Sequence, residues 1–242
     1  MTNNNHKTRF IMTYQHPTMW VSIDCLVFGY DVSEENLKLL LFQRKVEPFA
    51  GQWSLIGGFV NENEDLLAGA QRVLKTFTGL DGVFLEQLST FGKASRDPGG
   101  RVVSVLYWSL IKLDSIQKEV VNSHGAGWFD LEQLPELVMD HLDMTQLGIE
   151  QLRRNATTTP IGFELLPEKF TLPQLLRLYE GIYGKSIDDR NFRKKILATD
   201  VLVRLDEKDK SSSKKGAYKY MFDERKYHEL KQRGYHLDFS IK

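Results

Sequence analysis

Cysteine is nearly absent. Cys25 is the one thiol in 242 residues, which excludes a disulfide framework and a cysteine-built zinc site. It sits in the apolar run VSIDCLVF with no adjacent basic residue to lower its pKa, so it is expected as a small buried side chain. No apolar run reaches the roughly 18 residues of a membrane span, and no signal peptide opens the chain. A cytoplasmic protein with no membrane partner is therefore expected. Net charge is absent as well: 32 Lys and Arg balance 32 Asp and Glu, so any basic surface must be local. The patterns G-x-G-x-x-G, Walker A, H-E-x-x-H and G-x-S-x-G do not occur. Six histidines are scattered without metal-ligand spacing, and neither a metal nor a cofactor is expected.

What is present is enough apolar residue, 41%, for real cores, in an order that suggests two units. Residues 1–19 are polar and without period, and read as a loose arm. WVSIDCLVFGY and LKLLLFQR, separated by a Ser-Glu-Glu-Asn turn, read as strands, and FAGQWSLIGGF as a short strand with a glycine turn. Leu66, Leu67, Ala70, Val73, Leu74 and Phe77 recur at helical spacing and predict a helix from Glu64 to Phe77. Strands follow at 84–91 and 102–111, then a helix at 138–154. This first unit is a mixed α/β domain over 20–154. The proline- and threonine-containing stretch 155–170 reads as a linker. The second unit, 171–242, begins with the helix LPQLLRLYEGIYG, stopped by Gly184. Ser186 and Asp189 suggest a capping box for the helix DDRNFRKKILAT. Then come the strand VLVRL, the polar tip DEKDKSSSKKG, the strand AYKYMF and a last helix, ERKYHELKQRG.

Two constellations carry the functional reading. In the first, Gly58, Glu64, Arg72, Leu74, Gly79 and Leu80 keep the frame of the Nudix box, a loop–helix–loop whose glutamates hold magnesium against a diphosphate. QWSLIGGFV before it and WFDLEQLP after it extend that resemblance over about residues 20–154. The expected glutamates are replaced by Val73, Thr76 and Phe77. One surviving carboxylate, Glu64, cannot build a multi-metal site, so the box is expected to serve as scaffold, with no catalytic residue.

The second constellation is basic. Between Arg190 and Lys219 ten Lys and Arg face four Asp and Glu. Arg190, Arg193 and Lys194 share a helical face, with Asn191 and Lys195 beside them, while Phe192 and Ile196 turn to a core. A charge run of this kind is often only a solvated helix face. The lysine-rich hairpin that follows argues instead for a winged helix-turn-helix, with Lys214, Lys215, Tyr218 and Lys219 as wing contacts. Asn191 and Arg190 add the donors and acceptors that base edges require.

Together these features resemble the Nudix-related transcriptional regulators, the family of the NAD-metabolism regulator NrtR and the sugar regulators called AraR. The resemblance is carried by VSIDCLVFGYD, the altered box, LEQLSTFGKASRDPGGRVVSVLYWSLI, LPELVMDH and LYEGIYGKSIDDRNFRKKIL. It implies a Nudix-like α/β/α sandwich followed by a winged helix, and a homodimeric repressor on a palindromic double-stranded DNA operator, released by a small-molecule effector. With the magnesium-binding glutamates gone, a neutral sugar such as L-arabinose is the expected effector, closest to the AraR type. Asp24, Gln43, Arg44, Glu64, Lys93 and Arg96 are the candidate contacts, with Trp108 or Tyr107 as aromatic platform; each has an alternative as a local salt-bridge or turn residue. The competing readings are a regulator responding to ADP-ribose and a Nudix pyrophosphohydrolase with a nucleic-acid-binding appendage. An RNA-binding module is disfavoured, since no aromatic stacking sheet is evident.

Overall fold

The computed structural model describes residues 17–158, 161–210 and 215–233. The region read as an N-terminal arm falls almost wholly outside them, as does Lys214.

Strand β1 (Trp20–Asp31) is the axis of the first unit. It pairs in parallel with β6 (Val102–Leu113) along its whole length, from Trp20 opposite Val102 to Asp31 opposite Leu113. Its other edge is shared: β4 (Ile56–Phe59) covers Ser22 to Cys25, and β2 (Asn36–Gln43) covers Phe28 to Asp31. β3 (Trp53–Ser54), β5 (Glu86–Phe91) and β7 (Ala126–Asp130) complete a seven-stranded mixed sheet. Because β1 is central, both its faces are buried, which explains why its sequence is a continuous apolar run and not an alternation. Ile23, Cys25 and Val27 face α1 (Leu66–Thr78) and α2 (Ser115–Ser123). Leu26, Phe28 and Tyr30 face α3 (His141–Thr158). This is the expected α/β/α sandwich.

The predicted helix 64–77 is found as α1, begun one residue after Asp65 and ended by Gly79 in the left-handed conformation, φ +74°. Leu67, placed on its apolar face, is exposed. Helix α2 and strand β7 were not foreseen; α2 is polar, and its signal is the Asp114–Gln117 capping box. Helix α3 starts later than the expected 138 and runs on to Thr158. It lies so close to β1 that a Cβ at Gly148 would meet Leu26 Cδ2 at 1.9 Å.

The stretch read as a linker is structured where described. Beyond α3, α4 (Gly162–Leu165) follows, and Leu165, Leu166 and Phe170 are buried. Composition suggested a loop because Thr and Pro are poor helix formers; tertiary burial overrides that preference.

The second unit has α5 (Leu172–Tyr183), α6 (Asp189–Ala198), and a three-stranded sheet in the order β8 (Phe170–Thr171), β10 (Ala217–Phe222), β9 (Leu202–Asp209), followed by α7 (Glu224–Arg233). Helix α5 ends at Gly184, as expected, and is capped at its start by Thr171 with Gln174. The cap of α6 is Asp188, whose carboxylate accepts from Asn191 N–H at 2.7 Å, and not Ser186. Ile187 is buried and its N–H is given to Glu180, so the chain turns into the helix two residues later than a Ser186 cap would need. The hairpin strand also takes in Asp206 to Asp209, which the sequence placed in the tip. The core of this unit, with Leu175, Leu178, Tyr179, Phe192 and Ile196, is continuous with the α3 side of the sandwich.

Candidate functional site

A cavity of about 400 Å³ opens at the end of the sandwich where β1, β4 and the start of α3 meet. Its floor is a buried charge cluster. The Arg96 guanidinium donates twice to Asp140, at 2.9 and 2.8 Å, and lies 3.5 Å from Asp24. Asp24 also accepts from the Ser104 hydroxyl at 2.5 Å. His141 accepts the Leu55 N–H on Nδ1 at 3.0 Å, so Nε2 carries the proton, 3.7 Å from Asp24. Burial lowers the His141 pKa below the ordinary histidine value, despite the neighbouring carboxylates, and keeps the ring neutral. Asp24 in an apolar strand is thus explained: it is one acid of a network that ties the 92–101 loop to α3.

The walls carry Arg44, Lys45 and Arg72, with the rings of Phe42 and Phe77 5.0 Å apart. Arg44 closes its own loop, donating from Nε to the Pro48 carbonyl at 2.9 Å. Of the residues expected to hold an effector, Asp24, Arg44 and Arg96 line this cavity together. Gln43 is exposed and donates to the Gly51 carbonyl. Lys93 is exposed on the loop before Arg96. Trp108 is buried on the α3 face and borders a different groove, with Glu164 and Tyr227, while Tyr107 packs on the α1 face. Sequence reasoning passed over Phe42, Lys45, Phe77, Met139 and His141. Arg-Lys directly after a strand was a legible signal for Lys45; His141 had none, since its role depends on α3 crossing the sheet end.

The box itself is scaffold. Glu64 accepts from Arg72 at 2.8 and 2.5 Å and from Asn61 N–H at 2.7 Å. Arg72 holds the Glu64 carboxyl down to a pKa of about 2. Arg72 also reaches the Phe59 carbonyl and so pins the loop. Val73 is fully buried, its Cγ2 3.0 Å from where a Cβ on Gly58 would sit. A Nudix magnesium centre does not fit these residues: both oxygens of the one carboxylate are engaged, and among the described residues no group of three His, Cys, Asp or Glu gathers that could hold an ion.

On the second unit, Arg190 and Lys194 are exposed on α6, and Arg193 is engaged with Asp189 of the same helix at 2.7 Å. Phe192 and Ile196 are buried beneath, as the periodicity required. Lys215, Tyr218 and Lys219 lie on the hairpin, with Tyr218 and Lys215 exposed.

The sequence matches the NUDIX domain model over residues 23–147 and the NrtR DNA-binding winged helix domain model over residues 162–222. It is 33% identical over 227 residues to the ADPR responsive transcriptional repressor NtrR of Acinetobacter baylyi, covering 91% of this chain and 90% of that one. The chain belongs to the NrtR family of Nudix–winged-helix regulators. The fold is similar to that of Shewanella oneidensis NrtR crystallised with a 27mer DNA, with TM-score 0.68 and 29% identity over 90% of this chain and 99% of that one. The Nudix half is also 34% identical over 131 residues to an ADP-ribose pyrophosphatase of Methanocaldococcus jannaschii, covering 53% of this chain and 70% of that protein. Of these full-length likenesses, one is named a transcriptional repressor and the other was crystallised on DNA. No helix among the described residues is long and apolar enough to cross a membrane.

Proposed function

We propose that this NrtR-family chain represses transcription as a dimer on a palindromic operator, in the cytoplasm, and leaves it when ADP-ribose occupies the Nudix cavity. The observation that carries the choice of effector is the cavity wall. Arg44, Lys45, Arg72 and Arg96 surround it, against Asp24 and Asp97, and Phe42 and Phe77 offer ring faces. Cations suit a diphosphate, and rings suit an adenine. The expectation of L-arabinose counted the carboxylates lost from the box and not the arginines and lysine that stand around it. Arg44 and Lys45, which form no ion pair among the described residues, can hold a diphosphate directly, with no ion between, while Arg72 and Arg96 are paired with carboxylates. Two relatives, a repressor and a pyrophosphatase, are named for ADP-ribose.

The route to the DNA-binding unit is α3. Its first turn supplies His141 to the cavity, next to Asp140. Its last turns reach α5, where Arg153 Nε donates to the Ile182 carbonyl at 3.1 Å. An effector that reorders the Arg96–Asp140–His141 cluster differs in affinity between two settings of α3, which linkage requires of any switch. Hydrolysis is not part of this reading, because Glu64 is spent on Arg72 and Asn61.

Titration calorimetry of the full chain with ADP-ribose and with L-arabinose tests the proposal. Heat with ADP-ribose, none with the pentose, and release of operator DNA by ADP-ribose are expected. Heat with arabinose alone would return the chain to the sugar branch. Magnesium-dependent hydrolysis of the ADP-ribose diphosphate bond, abolished by Glu64→Gln, would make it an enzyme.

A further inference from the structure

The exposed side of the β9–β10 hairpin carries one aromatic ring with two cations on it. Tyr218 is 39% exposed. The Arg204 guanidinium carbon lies 4.7 Å from its ring centroid, and Lys208 Nζ lies 4.4 Å from it. The strand register makes this arrangement. Lys208 stands directly opposite Tyr218, and Arg204 opposite Tyr220, with an irregularity between the two pairs that sets three residues of β9 against Lys219 alone. Such a bulge twists the strand locally, which lets both cations lean over the same ring.

Three acids, Asp206, Glu207 and Asp209, lie beside them in β9. Glu207 is taken by Lys169 at 2.6 Å, and no ion pair joins Arg204 or Lys208 to a carboxylate among the described residues. Two like charges gathered on one ring repel, and an exposed cation–π contact is only a weak attraction. An anion lying between or across the two cations would relieve that repulsion. The hairpin follows α6 in the winged unit, where a wing meets the phosphate backbone.

We infer that Tyr218, Arg204 and Lys208 form a phosphate clamp on the wing. In it Tyr218 is a positioning residue: its ring, and not its hydroxyl, holds the two cations ready for the DNA backbone. The clamp rests on the DNA-binding reading above and adds affinity without sequence preference.

The test uses the full chain and a labelled 30-base-pair duplex of mixed sequence, read by fluorescence anisotropy across a salt series. Arg204→Ala with Lys208→Ala should weaken binding roughly tenfold or more and reduce the log–log salt slope by about one for each phosphate released. Tyr218→Leu, which changes no charge, should weaken binding severalfold and reduce the slope in the same direction. Tyr218→Phe should bind as the native chain does. In the Tyr218→Leu background the two alanine changes should cost much less than they do alone, since the cations are already displaced. Melting temperatures of all variants separate a clamp from a merely structural tyrosine: the clamp moves the slope and leaves the melting point. Equal binding by Tyr218→Leu, or fully additive losses, would overturn the clamp while leaving DNA binding in place. Failure of the native chain to bind any duplex would overturn the DNA reading and the clamp together.

Discussion

Val73 shows how a catalytic position becomes a core position. The same helical register that would aim a glutamate at a metal aims Val73 at Gly58, where it is fully buried. Val73→Ala should cost about 1–3 kcal/mol of stability, measured by urea unfolding. Val73→Glu should destabilise more, because it buries a charge with no partner. It should also fail to restore hydrolysis, since Glu64 stays locked to Arg72. His141 sets a pH limit on the same site. Its folded-state pKa is depressed by burial, so the unfolded chain takes up a proton more readily. The stability contributed is complete above the ordinary histidine pKa of about 6.5 and is lost as pH falls below it. Unfolding free energies at pH 7.5 and pH 5.5 should therefore differ more for the native chain than for His141→Gln. An equal loss in both would place the titrating group elsewhere.

At the scale of the element, α6 combines a short cap with an internal ion pair. Asp188 caps its first turn, and Asp189 holds Arg193. Arg190 and Lys194 are exposed. Arg190→Ala should lower affinity for the operator more than for mixed-sequence DNA, by about 1–3 kcal/mol if it reaches a base. Lys215→Ala should lower both alike and flatten the salt dependence. Asp189→Asn frees Arg193 and removes a negative charge from the groove face, so it should tighten binding to any duplex. Competition binding with the two DNAs measures all three, and identical ratios throughout would rule out base reading by this helix.

For the whole molecule, the two units share a core and are joined by few polar ties. Leu37 of β2 lies against Gly181 of α5, Arg177 of α5 pairs with Glu35 in the β1–β2 turn, and Arg153 of α3 reaches the end of α5. Arg153→Ala leaves the cavity untouched, so ADP-ribose should bind with unchanged affinity in the absence of DNA. The factor by which ADP-ribose weakens operator binding should shrink, and the factor by which operator weakens ADP-ribose binding should shrink equally. Calorimetry with and without operator measures both factors. Unchanged coupling would move the communication to Arg177 and Glu35.

The sequence by itself determined the elements with strong local signals. The apolar runs of β1, β2 and β6, the glycine that ends α1, the stop of α5, and the buried side of α6 are all readable, because continuous apolar runs, a 3.6 period and turn chemistry act over a few residues. It also showed the loss of three carboxylates from the box, on which the expectation of a scaffold role for Glu64 and Arg72 rests. Only the tertiary structure decided which side chains share a cavity. Asp24, Arg96 and Asp140 are distant in the chain, and the crossing of α3 over the end of β1 brings them together. Tyr107 and Trp108 are neighbours on β6, yet they pack in opposite cores, since successive side chains alternate between the two sides of a sheet. The charge of the cavity, on which the proposed diphosphate effector rests, is a sum over a strand, a helix and two loops from four parts of the chain. No local pattern contains it.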